Sequence, residues 1–110
     1  MTFLSNMQIK LREGTHAEAV KAFINRKVFA ECAEAIPGFL WAHLLEVEGA
    51  PDTLSVLCGW TDKVSYDDWL AHPVRNSQEA DLAHFLAEAP QTLLYTSKAA
   101  YGQQCSEDQG

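Results

Sequence analysis

The chain has 110 residues and a formal charge of -7, and 47% of its residues are hydrophobic, which predicts one folded domain rather than a disordered chain. Its eight basic residues are scattered among fifteen acidic ones, so no basic surface for nucleic acid is expected. No stretch has the length and apolarity of a membrane span, and the first residues lack a secretion-signal pattern, so we expect a cytoplasmic protein without membrane partners.

The three cysteines, Cys32, Cys58 and Cys105, are widely spaced and form no C-x-x-C pair. This arrangement favours reduced thiols over a disulfide framework or a structural metal site. Cys32 and Cys58 are expected to be small core residues, and Cys105 to lie exposed in a polar tail.

The first half of the chain predicts a strand followed by a long helix. Apolar residues alternate with period two over residues 3–11, as in a half-buried strand. Gly14 interrupts that pattern, and Thr15 and Glu18 have the spacing of a capping box. The helical apolar stripe that follows runs to Ile36 and ends at Pro37.

The centre of the chain predicts two antiparallel strands, residues 39–47 and 53–60, joined by a turn at residues 49–52. Strict alternation in the first of these strands places five side chains on one face: Phe39, Trp41, His43, Leu45 and Val47.

The last third of the chain predicts two helices and a strand. Ser65 and Asp68 have capping-box spacing ahead of a short helix that Pro73 interrupts, and a further helix is expected over residues 74–89. A fourth strand is expected over residues 92–101. We therefore expect a domain over residues 1–101 and a polar, flexible tail over residues 102–110.

The order strand, helix, strand, strand, helix, strand predicts an α+β fold of the ferredoxin-like, split βαβ kind with an antiparallel sheet. Such a sheet carries helices on one face only. Apolar residues on its other face need a cover, and a second copy of the chain would supply one. We therefore expect a homodimer.

Several side chains are candidates for a small-molecule site. His43 lies mid-strand between Trp41 and Leu45, where a general base would face an apolar cavity, although a structural histidine fits the same pattern. Trp41, Trp60 and Trp69 would wall a pocket for a flat substrate, or simply pack in the core. The remaining candidates are polar residues that would contact a substrate: Asn6, Tyr66 and His72.

Four stretches resemble the antibiotic biosynthesis monooxygenase family: residues 13–15, 36–39, Trp60, and 66–70. The spacing W-x-x-x-x-x-Y-x-x-W-L from Trp60 to Leu70 is similar to that of the haem-degrading branch. The resemblance implies a dimeric α+β barrel. In several members it implies oxygenation of a small aromatic or quinol substrate without metal or flavin.

The haem-degrading branch uses an Asn on the first strand, a Trp on the short helix and an axial His about ten residues later. Trp69 matches that Trp, whereas Glu79 stands at the His position and Met7 at the Asn position, with Asn6 in the opposite strand phase.

Three functional hypotheses follow. The first is a cofactor-independent monooxygenase of a small aromatic or quinol-like substrate, with His43 as base, Asn6 and Tyr66 as polar contacts and the three tryptophans as walls. The alternatives are a haem-binding or haem-degrading monooxygenase, and a non-catalytic ligand-binding dimer of the same fold. No metal site is expected.

Overall fold

A computed structural model describes residues 2–102 and shows a four-stranded antiparallel sheet with its helices on one face. The elements in chain order are β1 (Phe3–Lys10), α1 (His16–Arg26), α2 (Val28–Ala35), β2 (Phe39–Glu46), β3 (Thr53–Trp60), α3 (Lys63–Leu70), α4 (Pro73–Leu82) and β4 (Gln91–Thr96). The strand order is β2-β3-β1-β4. The ferredoxin-like α+β prediction is confirmed. Within the described residues, no helix is long and apolar enough to cross a membrane.

The first predicted helix is in fact two helices. Lys27 has left-handed backbone angles, φ 61° and ψ 44°, between α1 and α2. A residue in this region ends the regular i to i−4 hydrogen bonding, so the chain resumes as a second helix in a new direction. Phe23 of α1 and Cys32 of α2 are both buried in the core.

Both predicted capping boxes are wrong. The Thr15 hydroxyl donates to the Arg12 carbonyl, 2.7 Å away, and makes no cap hydrogen bond. In α3 the cap is Asp62, whose carboxylate accepts from the backbone N–H and the hydroxyl of Ser65, both at 2.9 Å. These two bonds hold the pKa of Asp62 below its usual value.

The other differences from the predicted elements concern the end of the chain. α4 ends at Leu82 and a short 3-10 turn follows it, so the helix is shorter than the predicted 74–89. β4 spans Gln91–Thr96 rather than residues 92–101. Most of the predicted tail, including Cys105, lies outside the described residues.

A β-bulge in β2 divides the side chains that strict alternation had placed on one face. Phe39 pairs with Trp60, but Trp41 pairs with Gly59, so Leu40 is an extra residue on this strand. An extra residue shifts the phase of a strand by one. Phe39 therefore lies with the helices, in edge contact with the Trp60 ring at 5.5 Å, while Trp41 and the following alternate residues lie on the opposite side.

The sheet thus has two faces of different character. The helix face carries the buried core residues of β1 and β3, among them Phe3, Ile9, Leu54, Val56 and Trp60. The opposite face, here called the open face, has no helix over it and carries Leu4, Asn6, Gln8, Trp41, His43, Leu45, Ser55, Leu57, Gly59, Leu93 and Tyr95.

Replacing Gly59 by alanine should destabilise the fold through Trp41. A Cβ at this position would overlap the Trp41 indole, 2.7 Å from its Cζ2 and Nε1. The overpacking should lower the free energy of unfolding by about 1–3 kcal/mol, measured by urea denaturation. In a Trp41→Leu background the cost of Gly59→Ala should largely disappear. An equal cost in both backgrounds would contradict this packing.

Candidate functional site

A cavity of about 460 Å³ lies between the helix face of the sheet and the helices. Its walls are mostly apolar, and its aromatic members are Phe23, Phe29, Phe39, Trp60, Tyr66 and Trp69. A cavity of this size and lining has the dimensions of a small-molecule site. We call it the helix-side cavity.

Two helices contribute to this cavity with one face each. From α3 the cavity receives Tyr66, Trp69 and Leu70, which are spaced i, i+3 and i+4. From α4 it receives residues spaced i, i+3, i+4 and i+7: Arg75, Gln78, Glu79 and Leu82. On α4 this spacing places three polar side chains, Arg75, Gln78 and Glu79, on the same side of the cavity.

An aromatic cluster and a buried hydrogen bond connect β1, β3 and α3 beside the cavity. The Trp60 ring lies 5.6 Å from the Tyr66 ring, and the Tyr66 ring lies 5.8 Å from the Phe3 ring. The Trp60 Nε1–H donates to the Ser5 hydroxyl at 3.1 Å. Because Trp60 is 1% exposed, this bond satisfies a donor that would otherwise be buried without a partner.

The charged groups of the cavity lie on α4, and its tyrosine lies on α3. Among residues 2–102 no group forms a hydrogen bond with the Tyr66 hydroxyl, and burial raises the pKa of Tyr66 above its usual value. Arg75 and Glu79 form an ion pair, with Nη1 2.6 Å from Oε1. The Gln78 amide donates to the Val28 carbonyl and, at 2.9 Å, to the Glu31 carboxylate, which ties α4 to α2.

The two described cysteines, Cys32 and Cys58, also line the cavity as buried, free thiols, as the sequence predicted. Burial raises the pKa of each thiol to about 12. The charge of Cys58 adds to this effect at Cys32, while a hydrogen bond from Ser5 opposes it at Cys58. Both groups are therefore neutral at physiological pH.

Native protein should resist alkylation at Cys32 and Cys58. Raising the pKa from 9.0 to about 12 lowers the thiolate fraction roughly a thousandfold below pH 9, and the thiolate is the reactive form. Iodoacetamide labelling followed by peptide mass spectrometry should find both thiols protected in buffer and labelled in urea. Because both pKa values are raised in the folded state, the two thiols contribute to the free energy of unfolding below pH 9.0. This contribution is lost as the pH rises towards 12. Rapid labelling of folded protein would contradict this assignment.

The open face carries a separate polar group. The Asn6 carbonyl oxygen accepts from the Gln8 amide at 2.7 Å and from the Ser55 hydroxyl at 3.1 Å. Beside this network the Trp41 indole covers Gly59. The centroids of the Trp41 and His43 rings lie 5.6 Å apart. The Trp41 Nε1 is buried and has no hydrogen-bond partner among the described residues.

The structure divides the sequence-predicted site residues into two groups. Trp60, Tyr66 and Trp69 meet in the helix-side cavity. Asn6, Trp41 and His43 lie across the sheet on the open face, and His43 is exposed. The structure therefore does not bring the three tryptophans and His43 into one cavity, because the bulge in β2 and the alternation of β1 place Trp41, His43 and Asn6 on the face opposite the helices.

His72 occupies a third position, between α3 and α4. Its Nδ1 accepts from the backbone N–H of Val74 at 3.1 Å, which caps α4, and Pro73 follows at a first-turn position. Its ring stacks against Trp69, with centroids 6.0 Å apart. The histidine thus positions a cavity residue, and it is not itself among the residues lining the cavity.

Comparison with solved structures finds the same architecture in several proteins. SnoaB, a cofactor-independent oxygenase from Streptomyces nogalater, matches with a TM-score of 0.70 and 20% identity, covering 93% of this chain and 97% of that one. A protein of Nitrosomonas europaea provisionally named an antibiotic biosynthesis monooxygenase matches with a TM-score of 0.77 and 9% identity, covering 92% and 94%. The chain has the antibiotic biosynthesis monooxygenase fold. A similarly named protein of Bordetella bronchiseptica matches at 0.77 and 14%, covering 89% and 98%.

At these identities the likeness concerns the antibiotic biosynthesis monooxygenase fold alone. No protein-family model and no curated protein sequence matches the chain.

Within this monooxygenase fold, sequence reasoning missed Arg75 as a cavity residue and considered Glu79 only as a replacement for a histidine. Their i,i+4 spacing was visible in the sequence. The same spacing is typical of ordinary surface ion pairs. Only the packing of α4 against the sheet shows that this ion pair lines a cavity.

Proposed function

We propose that the chain is a cofactor-independent monooxygenase that oxidises a small, flat, phenolic aromatic compound in the helix-side cavity. The observation that carries this proposal is the cavity itself, with its tryptophan and phenylalanine walls and its two charged side chains, Arg75 and Glu79, on α4. Apolar walls remove water from a planar substrate, and aromatic side chains stack against it. The name of SnoaB, a cofactor-independent oxygenase of the same fold, supports the reaction class.

The proposed chemistry needs no electron source besides the substrate. An electron-rich phenol with an activated CH₂ group supplies all four electrons that reduce O₂: the two C–H bonds of that group break, one oxygen atom becomes the new carbonyl, and the other leaves as water with the two hydrogens. The protein would bind and orient the ring between Trp60 and Trp69 and exclude bulk water.

Haem is a poor fit to the cavity. None of the described residues that line it is a histidine, and Glu79 and Gln78 occupy the wall where an axial imidazole is expected. Burial raises the pKa of each of the two thiols there to about 12, which disfavours the thiolate form that ligates iron. The donor set therefore does not favour a haem-dependent reaction.

Oxygen consumption with a panel of anthrones, naphthols and quinols tests the proposal. Trp69→Leu should lower kcat/KM by about tenfold or more, because a stacking wall is lost. Thr92→Trp, at an exposed position on the cavity rim, should also reduce activity by narrowing the cavity, and an aromatic residue is tolerated in a strand.

His43→Ala separates this assignment from the sequence-based one. If His43 is the base, His43→Ala loses activity. If the reaction takes place in the helix-side cavity, His43→Ala keeps its activity while Trp69→Leu and Thr92→Trp lose theirs. Thermal unfolding of each variant shows whether a loss reflects misfolding. Binding of aromatic compounds without oxygen consumption would instead support the non-catalytic ligand-binding hypothesis.

We also propose that the open face pairs with a second copy of the chain. Leu45, Leu93 and Tyr95 are exposed there. A second sheet would bury these apolar groups.

Placing a charge on the open face should produce a monomer. Leu93→Glu introduces a carboxylate where the side chain is 62% exposed, and Val64→Glu, at a helix position 65% exposed, is the matched control. Sedimentation should give a dimer for the unmodified chain and for Val64→Glu, and a monomer for Leu93→Glu. A monomer in all three proteins would refute the proposed pairing.

A further inference from the structure

His72 connects the two helices that contribute polar and aromatic walls to the helix-side cavity. Its backbone N–H donates to the Trp69 carbonyl of α3 at 3.0 Å, and its ring stacks against the Trp69 ring with centroids 6.0 Å apart. On its other side His72 is the N-cap residue of α4. One residue therefore contacts both the last turn of α3 and the first turn of α4, and both helices line the cavity.

His72 accepts every backbone donor in the first turn of α4. Pro73 has no N–H to donate. The N–H of Val74 donates to the His72 Nδ1 at 3.1 Å. The N–H groups of Arg75 and Asn76 donate to the His72 carbonyl at 3.1 and 3.4 Å. Of these acceptors only Nδ1 depends on the charge of the side chain, so this cap requires a neutral ring with its proton on Nε2.

The later turns of α4 are attached to other helices by different bonds. The Ser77 hydroxyl accepts from Arg26 of α1 at 3.0 Å, and the Gln78 amide donates to a carboxylate of α2 at 2.9 Å. Among residues 2–102, the only hydrogen bonds that join residues 73–76 to another part of the molecule are those to His72. The first turn of α4, which carries a cavity residue, therefore depends on His72 for its polar attachment.

We propose that His72 is a positioning residue whose neutral imidazole holds Trp69 and the first turn of α4 together, and that protonation of His72 weakens ligand binding in the helix-side cavity. The inference rests on the proposed function where it concerns the ligand, and it adds regulation of the same site by pH. Protonation places a hydrogen on Nδ1, which leaves the Val74 N–H without an acceptor. Histidine is the side chain that ordinarily changes charge between pH 5 and 8, so the effect is tested in that range.

The two helix ends act in opposite directions on a charged His72. A cation is stabilised at the negative C-terminal end of α3 and destabilised at the positive N-terminal end of α4. A cation about 6 Å from an indole ring is also attracted to its face, so the imidazolium should remain stacked on Trp69. Protonation should therefore release α4 and leave the contact with α3 in place.

The charged side chains nearest to His72 in the chain favour the same outcome. Asp68 precedes it by four residues on α3, and Arg75 follows it by three on α4. A carboxylate favours a cation on the α3 side, and a guanidinium opposes one on the α4 side. Within the described part of the chain neither forms an ion pair with His72. The same is true of the other titratable side chains of the two helices, which are Lys63, Tyr66, Asp67, Glu79 and Asp81.

Nuclear magnetic resonance tests the connection between α3 and α4 without a ligand. At pH 8 the ring nitrogen signals of His72 should show a protonated Nε2 and an unprotonated Nδ1. Between pH 8 and pH 5 the His72 ring and the Val74 amide should titrate together. Exchange of the Val74 amide with solvent, corrected for its intrinsic dependence on pH, should become about fivefold faster, as expected for the loss of one cap.

Binding of 2-methoxynaphthalene extends the test to the cavity. This flat aromatic ether does not ionise, so any dependence of its Kd on pH belongs to the protein. Its Kd should rise about fivefold between pH 8 and pH 5, because the wall formed by α4 is no longer held beside Trp69.

Two variants of His72 separate its acceptor from its ring. His72→Asn supplies a good N-cap that does not titrate, so Val74 exchange and the Kd should no longer change between pH 8 and pH 5. His72→Phe keeps a flat ring against Trp69 without an acceptor, and at both pH values it should resemble the protonated form of the unmodified chain. His84→Asn is the matched control, because His84 is exposed and does not line the cavity. It should retain the full pH dependence.

The inference is overturned if the Val74 amide stays protected after His72 is protonated, if the Kd of 2-methoxynaphthalene is the same at both pH values, or if His84→Asn removes the pH dependence as His72→Asn does. Oxygen consumption in the earlier panel together with an unchanged Kd would overturn this inference and leave the monooxygenase proposal standing. A pH-dependent Kd without oxygen consumption would contradict the monooxygenase proposal and support the role of His72. Absence of binding at both pH values would contradict the proposed function and the effect on ligand binding, whereas joint titration of His72 and Val74 would still establish the connection between the helices.

Discussion

The antiparallel register between β1 and β3 is the constraint on which both surfaces of the sheet depend. It sets Phe3 opposite Trp60 and Ser5 opposite Cys58, so alternate residues of the two central strands face the helices together. The hydrogen bond from Trp60 to Ser5 lies within this register. A slip of one residue would move the core residues to the open face and the Asn6 network into the cavity.

The cavity remains open because the helices meet the sheet through large aromatic side chains at a few points. Trp60, Tyr66 and Trp69 hold α3 against β3, and Gln78 ties α4 to α2. Between these contacts the walls are apolar, and the charged pair of Arg75 and Glu79 stays at the rim, where water still reaches both groups. Keeping an ion pair at a rim avoids the large desolvation cost of burying it.

Individual residues show where the sequence patterns predicted the structure correctly and where they failed. The alternation over β1 predicted that strand to within a residue, because Phe3, Ser5 and Ile9 on one of its faces are buried. The pattern failed at β2, where the bulge at Leu40 separates Phe39 from Trp41. It also failed at Lys27, since a lysine carries no local signal for a left-handed backbone.

By itself the sequence determined the element order, the antiparallel ferredoxin-like fold, the buried thiols and the placement of Trp69 on a short helix, because each depends on local periodicity and chain order. Only the tertiary structure decided which candidates share a cavity. His43 and Trp60 have equally plausible strand positions in the sequence, yet they lie on opposite faces. That choice depends on one bulged residue and on helix packing across long sequence separations, neither of which leaves a pattern in the chain.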